Sequence, residues 1–166
     1  MIAELHNGVN DFYIFRRGRF ENICSLVGIK QPIMKLTVYL NFQGDTEEAM
    51  NFYQKVFNGT IHDVSRFGDG NFPMPEEQKS KIMHARLTFG DNLIMFSDGM
   101  AGMKIDHGNG IHLCIGLNDE IQARLIFDQL AEGGKITMPM EKQFWGALYG
   151  QVIDKYGVNW MINCDL

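Results

Sequence analysis

Residues 36–59 read LTVYLNFQGDTEEAMNFYQKVFNG, and residues 111–134 read IHLCIGLNDEIQARLIFDQLAEGG. In the first stretch, Leu36 to Phe42 has the pattern of a strand, and Gly44-Asp45-Thr46-Glu47-Glu48 forms an acidic turn and helix start. Ala49, Phe52, Tyr53, Val56 and Phe57 then recur at helical spacing up to a stop at Gly59. The second stretch repeats this order. A strand from Ile111 to Leu117 leads to Asn118-Asp119 at a helix start, then to Ala123, Ile126, Phe127 and Leu130 on one helix face, and to a stop at Gly133-Gly134. Asp45 and Asp119, Ala49 and Ala123, and Tyr53 and Phe127 are each 74 residues apart. Unrelated helices would seldom share one offset at so many positions, so the chain is read as a duplication.

Working outward, the first copy continues with a strand from Thr60 to Phe67 and an excursion from Gly68 to Ser80. A hairpin follows, Met83 to Phe89 and Leu93 to Ser97 around Gly90-Asp91-Asn92. The second copy continues with strands Lys135 to Met138, Ala147 to Ile153 and Val158 to Cys164, the last two joined through Lys155-Tyr156-Gly157. Each copy is therefore a βαβββ module, about 34–98 and 110–166, in one domain over 34–166 of the α+β class. One such module exposes an apolar sheet face that it cannot bury alone, so two must pair, and their curved mixed sheets can enclose a cup. Residues 1–33 differ, with short mixed segments punctuated by Asn7-Gly8, Gly18, Gly28 and Pro32. They are read as an N-terminal extension, either a packed arm or upstream sequence.

With 166 residues, 45% of them apolar, the chain suffices for one packed core and is too short for two independent domains. A formal charge of -5 and a single short basic cluster, Arg16, Arg17 and Arg19, argue against nucleic acid as a partner. Cys24, Cys114 and Cys164 are widely spaced and read as buried thiols in a reducing compartment. No apolar run approaches the roughly 20 residues that cross a bilayer, and the N-terminus lacks a secretory pattern. The expectation is a cytoplasmic protein with small-molecule partners and no membrane contact.

At the second module's end, Phe144-Trp145-Gly146, Tyr149-Gly150, Asp154-Lys155-Tyr156-Gly157-Val158 and Trp160-Met161-Ile162-Asn163 carry a specific likeness. It is supported by Gly44-Asp45, Glu48-Ala49, Phe52-Tyr53, His84-Ala85, Leu87 and Ser97-Asp98. Over Met34 to Asp165 the chain resembles the PhnB-like branch of the vicinal oxygen chelate superfamily, which includes glyoxalases, bleomycin-resistance proteins and dioxygenases. The resemblance implies paired βαβββ modules, usually in a homodimer, with a ligand cup in each half-barrel. It does not settle function, because members range from metal-dependent enzymes to metal-free drug binders.

In the metal-using members the ligands lie on the first and last strands of each module. The resemblance maps these positions to Val38, to the stretch from Met95 to Ser97 with Asp98 just beyond, to His112 and to Met161. Only His112 is a strong ligand; valine cannot coordinate, and a thioether suits hard cations poorly. The expectation is no standard metal centre, with His112 and Asp98 as weak candidates for an altered divalent-metal site. His112 has two further readings, a general base or a satisfied histidine on an inward face, and the same ambiguity holds for His84. Phe144, Trp145 and Tyr149 are read as an aromatic wall for an apolar or planar ligand or as plain packing. Cys114 and His112 share a strand face, but no third group orients them as a nucleophilic pair. The excursion after Phe67 has the length of a lid.

The family is sometimes labelled a demethylubiquinone methyltransferase. No Gly-x-Gly-x-x-Gly follows a strand here, as a doubly wound S-adenosylmethionine domain would require. The leading expectation is a metal-independent protein, binding protein or enzyme, with a small-molecule cup lined by His84, His112, Phe144, Trp145 and Tyr149. The alternatives are a metal-dependent lyase or dioxygenase altered around His112, and a structural or regulatory dimer.

Overall fold

The duplication is visible as two four-stranded sheets, each with one helix on one face. The computed structural model describes residues 13–16, 19–22, 34–71, 73–100 and 102–166, and the chain divides into two compact units, 1–36 and 37–166. In the first unit, β1 (Tyr13–Arg16) and β2 (Arg19–Asn22) pair antiparallel. The remainder of the extension, including Arg17 and Cys24, lies outside the described residues. The second unit runs β3 (Val38–Phe42), α1 (Thr46–Phe57), β4 (Thr60–Arg66), a short α2 (Glu76–Lys79), β5 (Ile82–Phe89) and β6 (Asn92–Asp98). It continues with β7 (Leu113–Leu117), α3 (Glu120–Ala131), β8 (Lys135–Lys142), β9 (Ala147–Ile153) and β10 (Asn159–Asp165).

The sheet orders are β3-β6-β5-β4 and β7-β10-β9-β8, so the outer strand of each module pairs in parallel with its last strand. All other pairs in these two sheets are antiparallel. α1 and α3 are both 12 residues long and start at 46 and 120, which reproduces the 74-residue offset. Several strand ends differ from expectation. β3 and β7 begin two residues late, because Leu36 and Ile111 are exposed and unpaired. β8 runs on to Lys142, as its ladder with β9 continues to Leu148. The excursion after β4 is tied down: Phe67 is buried, the Gln78 side chain donates to the Gly99 carbonyl at 2.9 Å, and Lys81 donates to the Gly44 carbonyl at 2.7 Å.

The helix-bearing faces of both sheets meet in one core. Tyr53 and Phe57 of α1 lie against Trp160 of β10 with centroids 5.5 and 5.3 Å apart, and Tyr53 also stacks on Phe96. Close packing of α3 on its sheet requires Gly150, where an added Cβ would stand 2.8 Å from the Phe127 ring.

Two buried carboxylates fix the modules. Asp98, at the end of β6, accepts from the backbone N–H groups of Gly44 (2.8 Å), Thr46 (3.2 Å) and Ile82 (2.8 Å). It therefore serves the N-terminus of α1, where Asp45 makes no side-chain cap. α3 is capped locally instead, by Asp119 accepting from Gln122 N–H at 3.0 Å. Asp154, 3% exposed, accepts from Tyr156 and Val158 N–H, from the Tyr53 hydroxyl at 2.6 Å and from the Trp160 indole at 2.7 Å. The Tyr53 bond joins the first module to the second.

Burial first, and the Asp154 charge second, push the Tyr53 pKa far above that of a free tyrosine. A raised folded pKa means that this contribution is complete below the unfolded value near 10 and is lost as pH climbs above it. Tyr53→Phe should cost about 1.5–3 kcal/mol at neutral pH in urea unfolding, as expected for a hydrogen bond to a charged group. The variant should also lose stability less steeply than the parent above pH about 10.

Candidate functional site

Strand alternation gives each sheet a second face, turned away from its helix. On the first sheet one row across four strands is His62, Arg86, Met95 and Tyr39, in register from β4 to β3. Their neighbours along the strands, Ala85, Leu87, Ile94, Phe96 and Leu40, are buried on the helix side. His84 and Asn41 lie two residues from Arg86 and Tyr39 on the same face. On the second sheet the rows are Met138, Gln151, Met161 and Cys114, and then Glu141, Tyr149, Asn163 and Gly116. The first open face is polar and carries histidine and arginine; the second is richer in thioether, amide and aromatic groups.

On the first face the centre is Arg86. Its Nη1 donates to Asp63 Oδ2 at 3.0 Å, and the same oxygen accepts from His62 Nδ1 at 3.2 Å. Asp63 reaches this position because β4 is bulged between His62 and Ser65 and Asp63 has a φ of 54°. A left-handed backbone is unfavourable for most residues and tolerable for aspartate. His84 is held by Tyr39, with hydroxyl and Nδ1 3.3 Å apart. His62, Asp63 and Arg86 were not among the expected site residues. Arg86 could have been found from its place between inward residues of a central strand, but the bulge that brings Asp63 to it leaves no mark in the sequence pattern.

On the second face, Tyr149 accepts from the Gln151 amide at 2.9 Å, and Trp145 stands edge-on to it with centroids 5.8 Å apart. Phe144 packs edge-on to Trp145 at 4.9 Å but is itself 97% exposed, at the tip of the β8–β9 hairpin. Trp145 is 51% exposed. The aromatic wall thus has Tyr149 on β9 and Trp145 reaching it from the β8–β9 turn, with Phe144 beyond. His112 lies one residue ahead of β7 rather than within it, half-buried. His84 lies on the first sheet and Tyr149 on the second, with His112 just ahead of β7 and Trp145 in the β8–β9 turn.

Several expectations are corrected. Val38 points to the core, so the open-face residue of β3 is Tyr39, one position along. Asp98 lies on the helix side with both oxygens taken by backbone donors. Cys114 is exposed rather than buried, since β7 turns it to the open face, while Cys164 is buried as expected. Desolvation pushes the Cys114 thiol above its usual pKa, which disfavours a thiolate nucleophile. The donor set does not fit the superfamily's metal: the corresponding open-face groups are Tyr39, Met95 or Ser97, His112 and Met161. Among the described residues no three His, Cys, Asp or Glu side chains converge as metal ligands.

A separate open cleft of about 500 Å³ lies at α1 and the β9–β10 turn. There the Lys155 ammonium sits 4.5 Å over the Phe52 ring and 5.3 Å over that of Tyr156. Neither open face contributes to it. No helix among the described residues is long and apolar enough to cross a membrane.

Residues 34–163 match the family model described as 3-demethylubiquinone-9 3-methyltransferase. The chain is 30% identical over 142 residues to Protein YjdN of Escherichia coli (strain K12), covering 78% of this chain and 95% of that protein. Among solved structures, protein PA1353 from Pseudomonas aeruginosa is 35% identical with a TM-score of 0.73, covering 80% of this chain and 98% of that one. A PhnB protein from Bacillus cereus is 30% identical with a TM-score of 0.68, covering 79% and 99%. A glyoxylase/bleomycin resistance protein/dioxygenase domain from Frankia, at 13% identity and a TM-score of 0.59 over 82% and 100%, shares the fold.

Asp98→Asn should lower stability by about 1.5–3 kcal/mol, because the amide presents a donor to backbone donors. Elemental analysis should give the same metal content for this variant as for the parent; a loss of bound metal would contradict the helix-side role.

Proposed function

The chain belongs to the 3-demethylubiquinone-9 3-methyltransferase family, the PhnB-like branch of the glyoxalase and bleomycin-resistance superfamily, and from this premise we propose that it binds a small organic ligand without the standard metal centre. The observation that carries the reading is the pair of open faces. Each presents functional side chains that a core would not use, and the second also presents the Trp145–Tyr149 wall. Aromatic groups with a polar edge fit a planar or apolar ligand body.

In one chain both faces are open, because the shared core occupies their helix sides. A second copy would set a first-module face against a second-module face and close a cup, so we propose a homodimer as the functional form. The methyltransferase reading of the family's description finds no support here. Both sheets are mixed, with one parallel pair each, and neither is the doubly wound parallel sheet of S-adenosylmethionine enzymes.

Sedimentation should give a dimer. In a thermal-shift screen of small aromatic compounds, a true ligand should raise the melting temperature equally with and without EDTA, and by more at higher ligand concentration. Bound metal that disappears in His112→Ala would instead favour a metal-dependent lyase or dioxygenase. A dimer whose melting temperature no compound moves would favour a structural role.

A further inference from the structure

Arg86 is more completely prepared for a ligand than its surface ion pair requires. A guanidinium offers five N–H donors, and its Nε–Nη2 side forms a fork that matches two oxygens of one oxyanion. Asp63 engages only Nη1, from the other end. Among the described residues Nη2 has no acceptor, and Nε is buried without one. His62 Nε2 beside it is likewise buried and unpaired, although its Nδ1 is anchored on the same carboxylate. A buried polar group left unpaired costs about 1–3 kcal/mol, so two on one cross-strand pair need a reason. The anchoring carboxylate sits on a left-handed residue in a bulge, which carries it to the Arg86 guanidinium. Arg86 itself keeps 42% of its side chain exposed, at the middle of the open face. Basic and histidine groups gather here in a chain whose net charge is -5.

We propose that Arg86, held by Asp63 and flanked by His62 and His84, receives the oxyanion head group of an organic ligand whose apolar or planar body lies on the second-module face. The proposal rests on the cup reading above and adds the ligand's chemical class. The anion enters from the exposed Nη2 side, and a small turn of the guanidinium about its Asp63 anchor completes the fork with Nε. Asp63 acts as a positioning residue: it fixes the donor and touches no ligand. Met138, Met161, Tyr149 and Trp145 provide the soft and aromatic surface for the body.

The test is an NMR titration of the full chain with benzoate and with benzamide, its neutral isostere, following the Trp145 indole and the β5 amides. In the parent, benzoate should bind about tenfold more tightly than benzamide, the discrimination expected of a charge-assisted fork. In Arg86→Gln the two should bind within about twofold of each other, and Arg86→Lys should recover only part of the difference, since it restores charge but not the fork. Equal binding of both probes by the parent would overturn the oxyanion proposal while leaving the cup standing. A benzoate preference that survives in Arg86→Gln would overturn it as well, by placing the anion elsewhere. Binding of neither probe would overturn both readings.

Discussion

The buried Asp154 carboxylate is the point on which the two modules depend. A carboxylate so far from water is tolerable only when its lone pairs are filled, and here four donors fill them. Two come from the β9–β10 turn and shape it, one is the indole of the core residue Trp160, and one is the hydroxyl of Tyr53 on the other module's helix. The same oxygens therefore close a turn, orient the largest core side chain and fix α1 against β10. Asp98 plays the matching role in the first module, where it joins the end of β6 to the start of α1 and to β5.

Because the helix sides are used up in this joint core, the opposite sheet faces stay open. The two sheets share one strand order but present different chemistry on these faces. The first has gathered Arg86, His62 and His84; the second has gathered Met138, Met161, Tyr149 and Trp145. A cup closed by both would hold a ligand with a polar end and an apolar end.

Much of the fold was legible in the sequence. The 74-residue offset located both helices, and the alternation of β5, β6, β9 and β10 located the central strands, because apolar periodicity is a local property of each element. The site was less legible. Side chains in a strand change face at every residue, so Val38, the position expected from the resemblance, turns to the core while its neighbour Tyr39 faces outward. Asp98 was placed near the cup for a similar reason, although it belongs to the inward set of Ile94 and Phe96. Cys114 was expected inside because thiols usually are, yet its strand turns it outward.

The sequence by itself determined the repeat, the order of elements and the family, since these rest on spacing between neighbours and on a contiguous run of residues. Tertiary structure alone decided that Tyr53 meets Asp154 across 101 positions and that a bulge swings Asp63 beneath Arg86 across 23. It also decided which face of each sheet stays open. These facts depend on strand register and on the packing of distant elements, and no local periodicity encodes either.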